Sequence, residues 1–244
     1  MHWTRCGLLV LLLVVLSGQV HAVAPEQAIL EARLLGLEAA SRLVIAYNPN
    51  ITRQRDNASA RDESQVFYER FRAQVLGLQG DSLAADLKKL ELLLDQVPTV
   101  AQRNEGMLPG VLNPLLQLHV DLDGQLASLG AAQAVEEQMI DLARISLLYQ
   151  ARLFNGLMVF ADAHERDVLG MMDERILQRF EVLGSDPSLL STRVAQSERS
   201  YRFVRSRMLD PATGWIPDAA AFYLDAAVKQ LSMSKSKALT ISAG

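Results

Sequence analysis

The sequence contains few of the residues on which several classes of protein depend. It has one cysteine, four histidines and 6% aromatic residues in 244 positions. A single cysteine excludes a disulfide-stapled scaffold, and 14 glycines and eight prolines are too few for a collagen-like or low-complexity chain. Half of the residues are hydrophobic and the net charge is only −4, which excludes a disordered chain. The composition therefore predicts a folded protein with one large domain or two small ones.

Long apolar runs are missing after the N-terminus. Arg5 precedes an apolar run at residues 6–16, and Val20 and Ala22 suit cleavage after Ala22. As a helix this run would reach about 16 Å, which is less than a bilayer core of about 30 Å. We therefore expect residues 1–22 to be a cleaved signal peptide, with no transmembrane segment after its removal. The Ala/Leu-rich composition, with no cysteine left after cleavage, favours the bacterial periplasm.

Apolar residues recur at spacings of three and four through most of the remaining chain, as is typical of helices that bury one face. One such series is Leu83, Leu87, Leu90, Leu94 and Val97, and a second is Leu190, Val194, Ser197, Tyr201, Val204 and Met208. The clearest is Ile140, Ala143, Leu147, Gln150, Phe154, Leu157 and Ala161. These patterns predict an all-α antiparallel bundle of about eight helices.

Proline, glycine and cap residues divide the predicted helices. The first helix opens at Pro25, the third has Asp81 or Ser82 as its N-cap, and Pro98 ends the third. The fifth helix is predicted to be long, covering residues 131–163. The remaining predicted boundaries are Asn48, Gly80, Pro109, Gly130, Gly184, Pro187, Leu209 and Pro217.

Three short patterns occur twice in the same order. Ile29-x-x-Ala32-Arg33 recurs as Ile140-x-x-Ala143-Arg144, Gly80-Asp81-Ser82 as Gly184-Ser185-Asp186, and Gly106-Met107-Leu108-Pro109 as Gly214-Trp215-Ile216-Pro217. They indicate a duplicated four-helix unit. We expect helical units at residues 23–130 and 131–231 and a frayed tail at 232–244. If the fifth helix continues directly from the fourth, the boundary near residue 130 is nominal and the halves share one spine.

Residues suited to catalysis or metal binding are sparse. His119 and Asp123 lie one helical turn apart, but two ligands do not make a zinc site. His164, followed by Glu165, Arg166 and Asp167, suits a charged helix end and has no HExxH spacing. The sequence has no serine-nucleophile elbow and no phosphate-binding glycine loop. We therefore predict a protein that is not an enzyme and uses no metal or cofactor.

The basic segment near residue 200 has another explanation than nucleic-acid binding. At 100° per residue, Arg199 and Arg202 point away from the Tyr201 side of the helix, and Arg205 alone flanks that side closely. The net negative charge also argues against a nucleic-acid partner. A solvated face, with arginine stems lying over the core, is the preferred interpretation.

Gln150 is the most informative polar position, because it lies within an apolar helical series. A buried amide without partners costs about 1–3 kcal/mol, so Gln150 needs polar neighbours. Arg144, Ser146 and Gln150 could line a pocket for a small polar or anionic ligand, in which case Gln150→Leu should abolish binding and leave the fold intact. The alternative is a structural network that fixes helix partners.

Trp215 lies in the loop before the last predicted helix, where it would plug the end of the bundle. A second interpretation is a ligand lid or a contact with a partner protein. Trp215 and Arg205 are the predicted partner contacts, and an exposed apolar patch is expected around Trp215 and Phe222.

Residues 140–152 resemble a known family signature, Ile-Asn-x-Ala-Gly-Arg-Gln-Arg-Met-Leu-Ser-Gln-Arg. It belongs to the periplasmic helical-bundle sensor domain of type IV pilus chemotaxis transducers and nitrate sensors. Ala143, Arg144 and Gln150 keep the signature's small or polar residues. In this sequence the signature's glycine is missing, Asp141 stands for Asn, and Ile145 and Ser146 replace Gln and Arg. The resemblance implies a helical bundle and a ligand-sensing role.

Together these observations favour an exported, sensor-like binding module that recognises a small polar ligand or a membrane signalling partner. The alternative is an envelope scaffold or protein-interaction module with no small ligand.

Overall fold

The computed structural model describes residues 25–49, 58–78, 80–152, 154, 159, 168–210, 212 and 214–235. All regular structure in these residues is helical, which confirms the predicted all-α class. Eight helices have 14 residues or more, and one has seven. They are α1 (Pro25–Tyr47), α2 (Ala58–Gly77), α3 (Asp81–Leu94), α4 (Val97–Arg103), α5 (Pro109–Ser128), α6 (Ala134–Arg152), α7 (Val168–Gly184), α8 (Ser191–Leu209) and α9 (Pro217–Ser234).

Proline marks several helix starts, as predicted. Pro25, Pro109 and Pro217 are the first residues of α1, α5 and α9. At this position the missing N–H costs nothing, because the first N–H groups of a helix have no partner within it.

Four predicted boundaries were wrong. The third helix ends at Leu94, before Pro98, which lies instead in the first turn of the short α4. Gly80, with an extended backbone, is the N-cap of α3, and no side chain makes a capping hydrogen bond there, whereas Asp81 or Ser82 was predicted as the cap.

The predicted fifth helix, which corresponds to α6, is shorter than predicted. The predicted seventh helix, which corresponds to α8, begins later than predicted. A non-helical stretch at residues 129–133 precedes α6, and a turn at Phe154 follows its last residue, Arg152. Helix α8 starts at Ser191, not at Pro187. Leu157 and Ala161 lie outside the described residues.

Two groups of four helices pack around separate cores. In the first group α1 packs against α2 and α5, and α3 packs against α5 and α2. In the second, α6 to α9 form a ring in which each helix contacts the next and α9 returns to α6. One apolar cluster lies in each group, and the first also includes Ile140, Leu147 and Ala151 of α6. The predicted units at residues 23–130 and 131–231, and the origin of one from the other by duplication, stay predictions.

Helices α1 and α6 join the two groups. They run parallel: Arg33 lies near Glu137 and, further along both helices, Ser41 lies 3.4 Å from Ser146. The side chains of Leu34 and Leu148 pack against both apolar clusters. The two bundles therefore meet along a pair of central helices.

Within the described residues no helix combines the length and apolar character that crossing a membrane requires. The predicted signal peptide lies outside these residues. Helix α9 reaches Ser234, so the first residues of the predicted tail are helical, and 236–244 are outside the described part.

Candidate functional site

Asp123 of α5 is a buried acceptor at the junction of α1, α5 and α6. Arg33 of α1 donates from Nε to Asp123 Oδ1 at 2.6 Å, and Arg144 of α6 donates from Nη2 to Oδ2 at 2.5 Å. Arg33 and Asp123 are only 6% and 7% exposed, whereas the side chain of Arg144 keeps 37% of its surface open. The two arginines of the repeated Ile-x-x-Ala-Arg pattern thus share one carboxylate.

Asp141 forms a second buried ion cluster one helix away. It lies on α6 and accepts two hydrogen bonds from Arg175 of α7, at 2.9 and 2.8 Å, in the paired geometry that favours arginine. Arg179, one turn along α7, donates a third at 2.5 Å. This cluster holds α7 against α6 and places Arg175 near Arg144.

A cleft of about 430 Å³ opens beside these ion pairs, among α1, α5, α6 and α7. Its volume is within the range of about 300–1,000 Å³ that small-molecule sites occupy. The charged lining residues are Arg33, Asp123, Arg144 and Arg175, and the remainder of the lining is apolar or glycine. Helices of both bundles therefore line the cleft.

Positive charge is in excess around this cleft. Four guanidinium groups, from Arg33, Arg144, Arg175 and Arg179, share the carboxylates of Asp123 and Asp141. A third acid, Glu137, lies 3.8 Å from Arg33. A guanidinium carries five N–H donors, and Arg144 gives one of them to Asp123. The arrangement can therefore accept one more anion at Arg144.

The structure separates the three predicted ligand residues. Arg144 lines the cleft, whereas Ser146 is buried against Ser41 in the contact between α1 and α6. Gln150 is fully buried and donates from Nε2 to the carbonyl of Pro217 at 2.9 Å, which pins the start of α9. Its Oε1 has no hydrogen-bond partner among the described residues. Ser146 and Gln150 are not part of the cleft lining.

Of the two predicted partner contacts, Trp215 is exposed, whereas Arg205 forms an ion pair within the second bundle. Trp215 is 41% exposed at the loop before α9. Arg205 is held by two hydrogen bonds to buried Asp173, at 2.6 and 2.7 Å, so its charge is engaged within the second bundle. Close by along the chain, exposed Phe203 and Phe222 both contact the ring of Tyr223, at 4.4 and 5.3 Å between centroids.

His119 has a structural environment. Its ring is buried 5.6 Å from that of Phe71, and burial lowers its pKa to about 4, although the charge of Asp123 acts in the opposite direction. Asp123 faces the two arginines instead of a shared metal position with His119. In the described part of the chain no cluster of three metal-ligating side chains occurs. His164 and its acidic neighbours are outside that part.

Sequence reasoning missed that Arg33, Asp123 and Arg175 belong beside Arg144. Two signals were present: Arg33 is the repeat counterpart of Arg144, and Asp123 is a charged residue amid the apolar series of α5. Arg175 had no such signal, because its position depends on how α7 packs against α6.

Comparison of the chain with protein-family models, with characterised proteins and with solved structures finds no match.

Proposed function

We propose that this protein is a sensor-like binding module that takes a small anionic ligand in the cleft between its two bundles. The observation that carries the proposal is the position of Arg144: it lines a cleft of suitable size, is partly exposed, and shares its one carboxylate with Arg33. A ligand there would contact α1, α5, α6 and α7, and so both bundles. The role is binding rather than catalysis, in an exported protein as its N-terminus predicts.

A panel of anions tests this function. A ligand that binds only the folded state stabilises it by RT ln(1 + [L]/Kd) and so raises the melting temperature. Nitrate, phosphate, acetate and larger carboxylates are therefore compared by thermal shift and calorimetry. Arg144→Gln should weaken binding at least tenfold, since hydrogen bonds to charged groups are the stronger ones. The control is Arg202→Gln, which removes an exposed arginine paired with Glu198. Equal binding by Arg144→Gln and the parent chain would contradict the proposal.

Gln150→Leu separates the cleft from the pocket that the sequence favoured. Gln150 points to Pro217 and not into the cleft. This variant should therefore bind the anion normally, with some loss of stability. Loss of binding without loss of stability would favour the sequence-based pocket.

Exposed Phe203 and Phe222, which both contact the partly buried ring of Tyr223, favour a second candidate function, a protein-interaction module. Exposed aromatic side chains in contact with one another are typical of partner surfaces. A photo-crosslinking residue at 222 should then capture a defined protein, and one at exposed Met107 in the first bundle should not. The same products from both sites would count against a surface centred on Phe222.

A further inference from the structure

Each of the four helices that line the cleft carries a charged residue with an apolar residue about one turn away. On α1 the charged residue Arg33 is followed one turn later by Leu37, and on α6 Arg144 is followed by Leu147 and Leu148. The pairs Arg33–Glu137 and Ser41–Ser146 set Arg144 about six residues further along the parallel helices than Arg33. The guanidinium groups of the two arginines nevertheless meet at Asp123, and on each helix the leucines lie beyond the arginine in the same direction.

The two remaining helices repeat this order with opposite chain direction. Helix α5 runs antiparallel to α1, because Asp123 contacts Arg33 whereas Gly130, just after α5, lies against Ile29. Helix α7 runs antiparallel to α6, because Arg175 binds Asp141 whereas Val168 lines the cleft with Leu147. Going backwards along the chain, Asp123 precedes Val120 and Arg175 precedes Met172. On each of the four helices an apolar residue therefore follows the charged one in the same direction, about one turn or 5.4 Å away. These apolar residues, Leu37, Val120, Leu147, Leu148 and Met172, are called the apolar layer below.

The apolar part of the cleft has buried side chains in its walls and one exposed, flexible side chain at its edge. Leu37, Leu147 and Met172 are buried in the walls of the cleft. Met171, by contrast, is 61% exposed at its edge. Methionine is flexible and polarizable, so it can close over apolar ligands of different shape.

We infer that the ligand is an amphipathic monoanion, a carboxylate whose hydrocarbon body begins within about 5 Å of the charged group. Four arginines, Arg33, Arg144, Arg175 and Arg179, face three acids, Asp123, Asp141 and Glu137, and this excess of one positive charge sets the charge of the head. The neighbouring apolar layer on all four helices sets the character of the body. This inference rests on the proposed function, because it describes the ligand of the same cleft. An alkyl carboxylate and an aryl carboxylate share this chemistry.

Calorimetry with a series of probes tests the inference: acetate, butanoate, hexanoate, octanoate, 3-phenylpropanoate and hexan-1-ol. Each methylene that reaches the apolar layer should raise affinity about threefold, so hexanoate should bind at least tenfold more tightly than acetate. Hexan-1-ol, which lacks the charge, should bind at least tenfold more weakly than hexanoate. Tighter binding of octanoate than of 3-phenylpropanoate would identify an alkyl acid, and the reverse an aryl acid.

Two variants assign the ends of the ligand. Arg144→Gln should weaken acetate and hexanoate alike, by about tenfold. Met171→Gln should weaken hexanoate and leave acetate unchanged, while Met107→Gln, equally exposed on the first bundle, should change neither.

The failures are distinguishable. If acetate or nitrate binds as tightly as hexanoate, the cleft takes an anion but the amphipathic inference is overturned. If hexan-1-ol binds as well as hexanoate, and Arg144→Gln does not alter either, the site is an apolar surface and both proposals fail. No binding by any probe also overturns both.

Discussion

A single carboxylate, that of Asp123, connects helices of both bundles at the scale of residues. It accepts from buried Arg33 on one side and from half-open Arg144 on the other. Buried charges are tolerated when they are paired and hydrogen-bonded, and removing one partner leaves the other uncompensated. Asp123 is therefore the residue whose loss should cost most in this region.

Asp123→Asn should lower the free energy of unfolding by about 3–5 kcal/mol, because buried Arg33 would lose its hydrogen-bonded carboxylate and keep only Glu137, at 3.8 Å. Urea denaturation of the purified chain measures this change. The control is Asp121→Asn on the same helix, which alters an exposed carboxylate that accepts from Gln117 at 2.9 Å. A loss no larger than that of the control would show that the Arg33–Asp123 pair contributes little.

Two partly buried acids, Glu38 of α1 and Asp225 of α9, should make the stability of the protein depend on pH. Burial, together with the charge of Asp225, raises the pKa of Glu38 to about 7, against the opposing charges of Arg42 and Arg70. Burial also raises the pKa of Asp225 to about 6, although Arg42 is hydrogen-bonded to it and Glu63 adds like charge. The folded state thus retains protons that the unfolded chain releases.

Glu38→Gln should stabilise the protein at pH 8 by about 2 kcal/mol and change little at pH 4. The favourable contribution of protonated Glu38 is complete below its ordinary pKa of 4.5 and is lost as pH rises through about 7, whereas glutamine stays neutral throughout. Chemical denaturation across pH 4–8 measures the difference. Glu31→Gln on the same helix controls for removal of a charge. If Glu38→Gln changed the free energy of unfolding by the same amount at pH 4 and at pH 8, the assignment would be contradicted.

At the scale of elements, periodicity predicted most helices, while their ends depended on local backbone geometry. Leu83, Leu87 and Leu90 are buried as the pattern predicted. The residues after Leu94 were missed, because Pro98 can end one helix or begin another, and only the tertiary fold decides. The predicted length of α6 failed for a related reason: apolar residues continue beyond Arg152, and apolar spacing alone does not show where a helix gives way to a turn.

Helices α1 and α2 approach closely at Gly36, which provides a test of packing. A Cβ at Gly36 would lie 2.9 Å from Cε2 of the buried Phe71 ring, whereas a Cβ at Gly124 of α5 would meet no atom within 4 Å. Gly36→Ala should therefore destabilise the protein by about 1–3 kcal/mol through overpacking. Gly124→Ala should stabilise it by about 0.5–1 kcal/mol through helix propensity. Thermal denaturation of both variants checks this, and a gain in stability for Gly36→Ala would show that α2 can move away.

At the scale of the whole molecule, the candidate site shows what a sequence can place and what it cannot. Arg144, predicted from sequence as a ligand residue, lines the cleft, and its role in binding stays a prediction. Ser146 and Gln150 lie about 200° and 240° around the helix from Arg144, at 100° per residue, so they face other neighbours. Asp123 and Arg175 come from different helices, and their arrival beside Arg144 depends on the packing of four elements that no local pattern encodes.

The contact between the bundles predicts a shared unfolding transition. Leu116→Ala in the first core and Leu224→Ala in the second should each cost about 2–5 kcal/mol. Since Leu34 and Leu148 pack against both clusters, each substitution should also reduce hydrogen-exchange protection in the other bundle. Mass spectrometry of exchanged peptides measures this. Protection lost only in the substituted bundle would mean that the two fold independently.

The hydrogen bond from Gln150 to Pro217 links α6 to the segment that holds Trp215, whose fluorescence can report on movement of that helix. Gln150 lies six positions, or about 9 Å, along α6 from Arg144, and Ile216, next to Trp215, donates its N–H to Tyr149 of the same helix at 3.0 Å. A displacement of α6 by an occupant of the cleft would therefore move the indole at the far end. In a chain that begins at Val23, Trp215 is the sole tryptophan, so filling the cleft should change the fluorescence of the unlabelled protein.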